Sequence, residues 1–298
     1  MSADETAPLE LRSDLITLPR DGALTRTDKG WAISTPSEPN HYIHNVLCFD
    51  NLPADKNVDA AIVDFRRAFP DVSTATHEAI CWSIPLDAPW VEVPAAYVDA
   101  GFFALRFSVL ARSAQAAPPP VSHLQREAFV VRELAADDVD AWNDVLALYA
   151  YVQFDGPMPD EVDDDLIESS VRDATVDPLR ELVRRGRARM WVIVAGGEFV
   201  AAAPLVQQDS VARFQAIVTH PNWRGRGLCS QLIEHAIANC HGGRDVEVVL
   251  VTEHGSAAER LYQQLGFTTV ERSLHLVRGP AMAYWEMSGR GRDPYVAG

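Results

Sequence analysis

Hydrophobic positions along this chain change period several times, and each change marks an element. Arg189 to Ala195 and Phe199 to Gln207 are apolar runs joined by Gly196-Gly197, which predicts a β-hairpin. Val211 to Thr219 continues as a central strand. From Leu228 to Asn239 the apolar spacing becomes helical, and from Val246 to Thr252 it returns to a strand. A short helix then carries Leu261-Tyr262 and closes at Leu265-Gly266-Phe267, before an alternating strand from Glu271 to Val277. Upstream, Ala128 to Arg132 reads as a strand. Asp137 and Asp138 suit a helix N-terminus, with Val139, Trp142, Val145, Leu146 and Tyr149 at helical spacing behind them. Tyr151 to Pro159 reads as a loop, and Glu161 to Arg185 as a helical region broken at Pro178.

The first part of the chain repeats this order faintly. Asn45 to Asp50 is a candidate strand, Val58 to Phe69 a helix and Ala79 to Ile84 a second strand. Ala96-Tyr97-Val98-Asp99-Ala100-Gly101-Phe102 aligns without gaps on Leu261-Tyr262-Gln263-Gln264-Leu265-Gly266-Phe267, and an apolar run to Leu110 follows. Between the two copies lies Ser113 to Arg126, containing Ala116-Ala117-Pro118-Pro119-Pro120. Three consecutive prolines cannot continue a helix or a central strand, so this segment is the expected linker.

Composition narrows the class. The chain has 298 residues, of which 47% are hydrophobic and 23% charged, enough for two domains with their own cores. Met1-Ser2-Ala3-Asp4-Glu5 has no apolar run behind it, arguing against a signal peptide, and no apolar stretch reaches membrane-helix length. Cys48, Cys81, Cys229 and Cys240 are scattered without metal-ligand spacing. They read as reduced thiols in a cytoplasmic protein that holds no metal. A net charge of −16 disfavours nucleic acid as a partner. It mildly favours cationic ones, such as amines.

The chemistry concentrates in two motifs. Arg224-Gly225-Arg226-Gly227-Leu228-Cys229 sits between a strand and a helix. A glycine loop at a helix N-terminus turns backbone N–H groups toward an anion, and the helix dipole adds positive potential. The second motif is Gly255-Ser256-Ala257-Ala258-Glu259-Arg260-Leu261-Tyr262-Gln263-Gln264-Leu265-Gly266-Phe267. Together these resemble the GCN5-related N-acetyltransferases (GNAT), whose loop is Gln/Arg-x-x-Gly-x-Gly/Ala and whose later signature is Asn-x-x-Ala-x-x-Leu-Tyr-x-x-x-Gly-Phe. Cys229 replaces the last small residue of the loop and Gly255 replaces the asparagine.

The resemblance implies an α/β (α+β) protein of two tandem acetyltransferase-like domains. Each would be a mixed, mostly antiparallel sheet flanked by helices. Residues 1–112 would be a degenerate domain, since Asn51-Leu52-Pro53-Ala54-Asp55-Lys56 has neither glycine nor arginine. Residues 113–126 would be the linker and 127–298 the catalytic domain. The implied activity is transfer of an acetyl group from acetyl-CoA to a small-molecule or peptide amine, by direct attack in a ternary complex. A non-catalytic acyl-CoA-binding or sensing protein is the alternative.

The implied cofactor residues are the backbone of Ile217, Val218 and Thr219, which would pair with the pantetheine arm, and Arg224, Gly225, Arg226, Gly227, Leu228, Cys229 and Ser230 around the pyrophosphate. An ordinary helix-capping glycine turn is the plain alternative, and Arg226 is as readily a solvated surface residue. Tyr262 is the implied acid toward the departing thiolate. The plain alternative is a half-buried packing aromatic, which Tyr97 illustrates. Val211 to Thr219 carries no carboxylate, so Glu253 and His254 at the end of the next strand are the candidate bases, or else surface and capping residues. Glu247 is expected to face outward and His220, before Pro221, to be structural. Asp160, Glu161, Asp163, Asp164, Asp165 and Glu168 would either attract a cationic acceptor or form a solvated helix start. Trp142, Tyr151 and Phe154 would line an acceptor pocket or fill the core.

Overall fold

The computed structural model describes residues 6–39, 41–51, 57–69, 77–116, 129–153, 171–241 and 246–279. The proline run, Phe154 and the acidic run from Asp160 to Glu168 lie outside these residues. Two compact units are present, and neither is contiguous in sequence. The first is Met1–Leu110 with Val251–Arg260 and Thr269–Gly298, and the second is Ala111–Leu250 with Leu261–Thr268.

The first unit begins with helix α1 (Leu9–Leu15), followed by strands β1 (Ala23–Arg26), β2 (Gly30–Ser34) and β3 (Val46–Phe49). Helix α2 (Val58–Ala68), strand β4 (Glu78–Ile84), helix α3 (Ala95–Asp99) and strand β5 (Phe103–Ser113) come next. The second unit contains β6 (Val131–Glu133), α4 (Val139–Gln153), α5 (Asp177–Arg184), β7 (Ala188–Ala195), β8 (Glu198–Gln208), β9 (Val211–Phe214), β10 (Val218–Thr219) and α6 (Leu228–Ala238). The chain closes with β11 (Glu247–Glu253), α7 (Ala257–Gln264) and β12 (Thr268–Arg278).

The repeat is present in the pairing. β1/β2 and β2/β3 are antiparallel and β3/β4 is parallel. In the second unit β7/β8 and β8/β9 are antiparallel and β9/β11 is parallel. The aligned tyrosines agree at the level of single bonds. Phe102 N–H donates to the Tyr97 carbonyl at 2.9 Å, and Phe267 N–H to the Tyr262 carbonyl at 3.1 Å. Gly101 and Gly266 both turn the chain at positive φ, 80° and 84°, which closes each short helix into the following strand.

One strand departs from a simple tandem arrangement. β12, at the end of the second copy, pairs antiparallel with β4 of the first, from Arg272↔Ile84 to Arg278↔Glu78. The sheet order of the first unit is therefore β1-β2-β3-β4-β12-β5. Leu274, Leu276 and Val277 are fully buried there, in one core with Trp82 and Tyr97. Each such side chain contributes roughly 1.5–3 kcal/mol by leaving water. Glu271 of β12 also caps α1, accepting from the N–H groups of Leu9 (2.7 Å) and Glu10 (3.1 Å).

In the second unit the order is β11-β9-β8-β7-β6, with β10 paired to β8. Its core gathers Trp142, Val145, Leu146, Tyr149, Met190, Val192 and Ala202, so Trp142 is a core residue. Arg112 is buried there, bonded to Glu234 (2.8 Å), the Leu265 carbonyl (2.7 Å) and the Ala116 carbonyl (2.9 Å). Breaking a buried ion pair costs about 3–5 kcal/mol. Arg112→Ala should cost about 3 kcal/mol, the lower end, because the Glu234 side chain remains 19% exposed. The urea midpoint of the full chain measures this, and a loss below about 1 kcal/mol would mark the pair as a solvated one.

Three sequence expectations are corrected. Tyr151 to Gln153 continue helix α4 rather than opening a loop. Pro178 does not break its helix: Arg172–Val176 forms a wider π-turn and Pro178 sits in the first turn of α5, where its missing N–H has no helical partner to lose. The strand expected from Val211 to Thr219 is interrupted at Gln215–Ile217. Among the described residues no helix is long and apolar enough to cross a membrane. No group of three His, Cys, Asp or Glu among them is arranged to hold a metal.

Candidate active site

The interruption between β9 and β10 has a local cause. β9 pairs with β8 as Leu205↔Phe214 and Val206↔Arg213, whereas β10 pairs as Val218↔Ala202 and Thr219↔Ala201. The register slips by one residue, the signature of a β-bulge. Gln215 N–H donates to the Pro204 carbonyl at 3.2 Å, but Pro204 has no N–H to return the bond. Just beyond, Ala216 adopts φ 41°, a left-handed conformation costing an alanine about 1–2 kcal/mol. The buried Tyr149 hydroxyl donates to the Ala216 carbonyl at 2.6 Å and holds it there.

Two consequences follow. The parallel pairing of β11 with β9 stops at Val249↔Arg213. Past the bulge, Val218 and Thr219 pair only with β8 among the described strands. Among the described residues, Val218 and Thr219 thus have one backbone edge outside any strand pairing.

The chain then turns through a 3₁₀ segment, Pro221–Trp223, where His220 Nδ1 accepts from Asn222 N–H at 3.2 Å and the His220 ring stacks on Tyr151 at 4.3 Å. His220 is structural, as expected. Arg224 Nε donates to the Thr219 carbonyl at 3.3 Å and so ties the loop to β10. The Arg226 guanidinium lies over the Trp223 ring at 4.6 Å.

Gly225 (φ 76°) and Gly227 (φ 81°) are both left-handed, and Gly227 is the N-cap of α6. A Cβ on Gly225 would meet nothing within 4 Å, so the backbone conformation itself requires the glycine. No side chain caps α6, whose first helical bond is Gln231 N–H to the Gly227 carbonyl at 3.0 Å. The N–H groups of Leu228, Cys229 and Ser230 thus have no intrahelical acceptor. Ser230 is 1% exposed and its hydroxyl has no hydrogen-bond partner among the described residues. Leu228 is buried and anchors the turn.

Tyr262, 7% exposed on α7, is brought beside this turn. Burial first, and the neighbouring Cys229 second, hold its phenol well above the ordinary value. Burial also pushes the Cys229 thiol up to about 12, so it stays protonated and uncharged in the first turn of α6.

A family model described as an acetyltransferase (GNAT) domain matches residues 186–269, a segment that includes the bulge, the glycine loop and Tyr262. Over these residues the chain is similar to the GNAT acetyltransferases. The fold extends well beyond the matched segment. A crystal structure of a functionally unknown conserved protein from Staphylococcus epidermidis is similar with a TM-score of 0.62 at 14% identity, over 87% of this chain and 94% of that one. A GCN5-related N-acetyltransferase from Kribbella flavida is similar with a TM-score of 0.52 at 16% identity, over 92% and 96% of the two chains. No curated protein matches the sequence.

Within the first unit the corresponding elements of the repeat are closed off among the described residues. β3 stays paired on both edges to its end, through Phe49↔Gly30 and Phe49↔Trp82. The N-terminus of α2 is already capped, Asn57 Oδ1 accepting from Ala60 N–H at 3.1 Å. The tyrosine equivalent to Tyr262, Tyr97, is 1% exposed in the core.

The two candidate bases belong to the first unit. Glu253 is exposed at the end of β11. His254 follows it and is engaged by the first unit: its Nδ1 lies 3.0 Å from Ser108 Oγ and 3.5 Å from Glu259 Oε2. Gly255 (φ 74°) donates its N–H to Glu259 Oε2 at 2.5 Å, and Ser256 Oγ accepts from Glu259 N–H at 3.1 Å, capping α7 as expected. Glu247 is exposed, also as expected. Sequence reasoning missed Pro204, Tyr149, Ala216, Ser108 and Glu259. Pro204 alone carried a readable signal, since proline within a strand pattern marks a bulge or an edge.

Proposed function

We propose that the protein transfers an acetyl group from acetyl-CoA to an amine, by direct attack in a ternary complex, with one cofactor site per chain. The observation that supports this most is the α6 N-terminus: two left-handed glycines, no side-chain cap, free N–H groups at the first turn and an orphaned buried Ser230 hydroxyl. An anionic diphosphate satisfies all of these together. The bound cosubstrate supplies an acetyl group activated as a thioester.

The residues divide the remaining work. The amides of Gly225 to Ser230 hold the pyrophosphate, and Arg224 and Arg226 offset the −16 net charge locally. The backbone of Ile217 to Thr219 takes the pantetheine arm along its open edge. His254, rather than the exposed Glu253, removes the proton that an ammonium must lose before its nitrogen can attack, because His254 alone is held in place by neighbours. Tyr262 faces the departing thiolate. A phenol held above its ordinary 10 is a weaker acid than a thiol near 8.5, so Tyr262 keeps its proton and stabilises the thiolate by a hydrogen bond.

The acceptor is a small-molecule or peptide amine. Incubation with acetyl-CoA and an amine panel, read as thiol release, tests the reaction. Titration calorimetry with coenzyme A should give one site per chain, since the first unit has a capped helix and an unbroken strand in place of the loop. Two equivalent sites would contradict the assignment.

A further inference from the structure

The described residues of the first repeat include a capped α2 and a β3 paired on both edges, and its last strand reaches the candidate base. His254 N–H donates to the Arg106 carbonyl of β5 at 2.8 Å, laying the imidazole against that strand. Ser108, two residues on and fully buried, places Oγ 3.0 Å from Nδ1. Glu259, 5% exposed on α7, has its carboxylate 3.5 Å from the same nitrogen. On another side lies Trp90, its ring 4.8 Å from the imidazole. Trp90 is gripped between the guanidinium groups of Arg106 (5.5 Å) and Arg272 (5.0 Å). These arginines also tie down the Trp90 segment, through the carbonyls of Val91 (3.2 Å) and Ala88 (2.5 Å).

This arrangement selects one tautomer. A lone pair on Nδ1 would face a carboxylate oxygen, acceptor against acceptor. A proton on Nδ1 is instead received by Ser108 Oγ and attracted by Glu259. Nε2 then carries the lone pair, on a side chain that is 35% exposed. We propose that Ser108 and Glu259 are positioning residues that hold His254 as the Nδ1–H tautomer. The use made of the Nε2 lone pair rests on the acetyl-transfer reading; the tautomer itself does not.

Long-range ¹H–¹⁵N correlation spectra of the ¹⁵N-labelled full-length protein, with His254 assigned by His254→Gln, read the tautomer directly. Neutral His254 should carry its proton on Nδ1, whereas free imidazole side chains favour Nε2. Ser108→Ala and Glu259→Gln should each raise the Nε2–H share, and Ser108→Ala decides the matter should Glu259→Gln fail to fold. An Nε2–H tautomer in the unaltered protein overturns the proposal. In the thiol-release assay Ser108→Ala should lower kcat about 10-fold, part of the ~10²–10⁴-fold that a positioned base contributes, with KM for acetyl-CoA unchanged. A shifted tautomer with unchanged kcat also overturns the positioning role. An Nδ1–H tautomer in a protein that transfers no acetyl group supports the positioning and defeats only the acetyl-transfer reading.

Discussion

Gly227→Glu should weaken coenzyme A binding by roughly 10³-fold while the protein stays folded. Gly227 is left-handed (φ 81°) at the uncapped start of α6, where the amides meet the proposed pyrophosphate. A carboxylate about 4 Å from a phosphate charge at an effective dielectric of 20 is repelled by about 4 kcal/mol. That converts to close to three decades in Kd. The left-handed backbone adds a strain of about 1–2 kcal/mol, which lowers the melting temperature by only a few degrees in units of this size. Gly227→Ala carries the same strain without the charge and should retain measurable affinity. Calorimetry and thermal melts on both variants separate the two effects. Undiminished binding by Gly227→Glu would move the cofactor site elsewhere.

Tyr262→Phe should lower kcat by about 10², the lower end of what acid–base assistance contributes. The lower end applies because the phenol, held above its ordinary pKa, donates a hydrogen bond instead of delivering its proton. The ring stays buried against Phe267 (centroids 6.3 Å apart), so stability and cofactor affinity should barely change. The sign of the shift gives a second check. A raised phenol remains protonated through pH 10, so no alkaline loss of kcat below that pH should vanish in Tyr262→Phe. A large loss of stability with no separate loss of rate would return Tyr262 to a packing role, like Tyr97. It would favour an acyl-CoA sensor over an enzyme.

Much of this was legible because it is written in short segments. Gly196-Gly197 between two apolar runs dictates a hairpin, since glycine reaches the positive φ such a turn needs, here 63° and 90°. Gly225 and Gly227 before Leu228 dictate a loop with outward N–H groups for the same reason. The match between Tyr97…Phe102 and Tyr262…Phe267 is one helix closure written twice, and both copies form the same backbone bond. Ser256 three residues before Glu259 is a local capping signal, and the structure forms the cap.

What escaped the sequence depends on partners distant along the chain. Val211 to Thr219 reads as one strand because each residue in it suits one. The break comes from Pro204 on the neighbouring strand and from the Tyr149 hydroxyl on α4, 67 residues from Ala216. The apolar pattern of β12 says that it is buried without saying where. Only register against β4 and the cap on α1 place it in the first unit. His254 read as a candidate base or a surface residue at a strand end, and only the fold, through β5, set Ser108 against its Nδ1 from 146 residues away in sequence. Glycine turns and helix caps are chosen by neighbouring residues and can be read in line. Strand partners and the orientation of an imidazole are chosen by whichever surface the folded chain presents, and in this protein tertiary pairing alone made that choice.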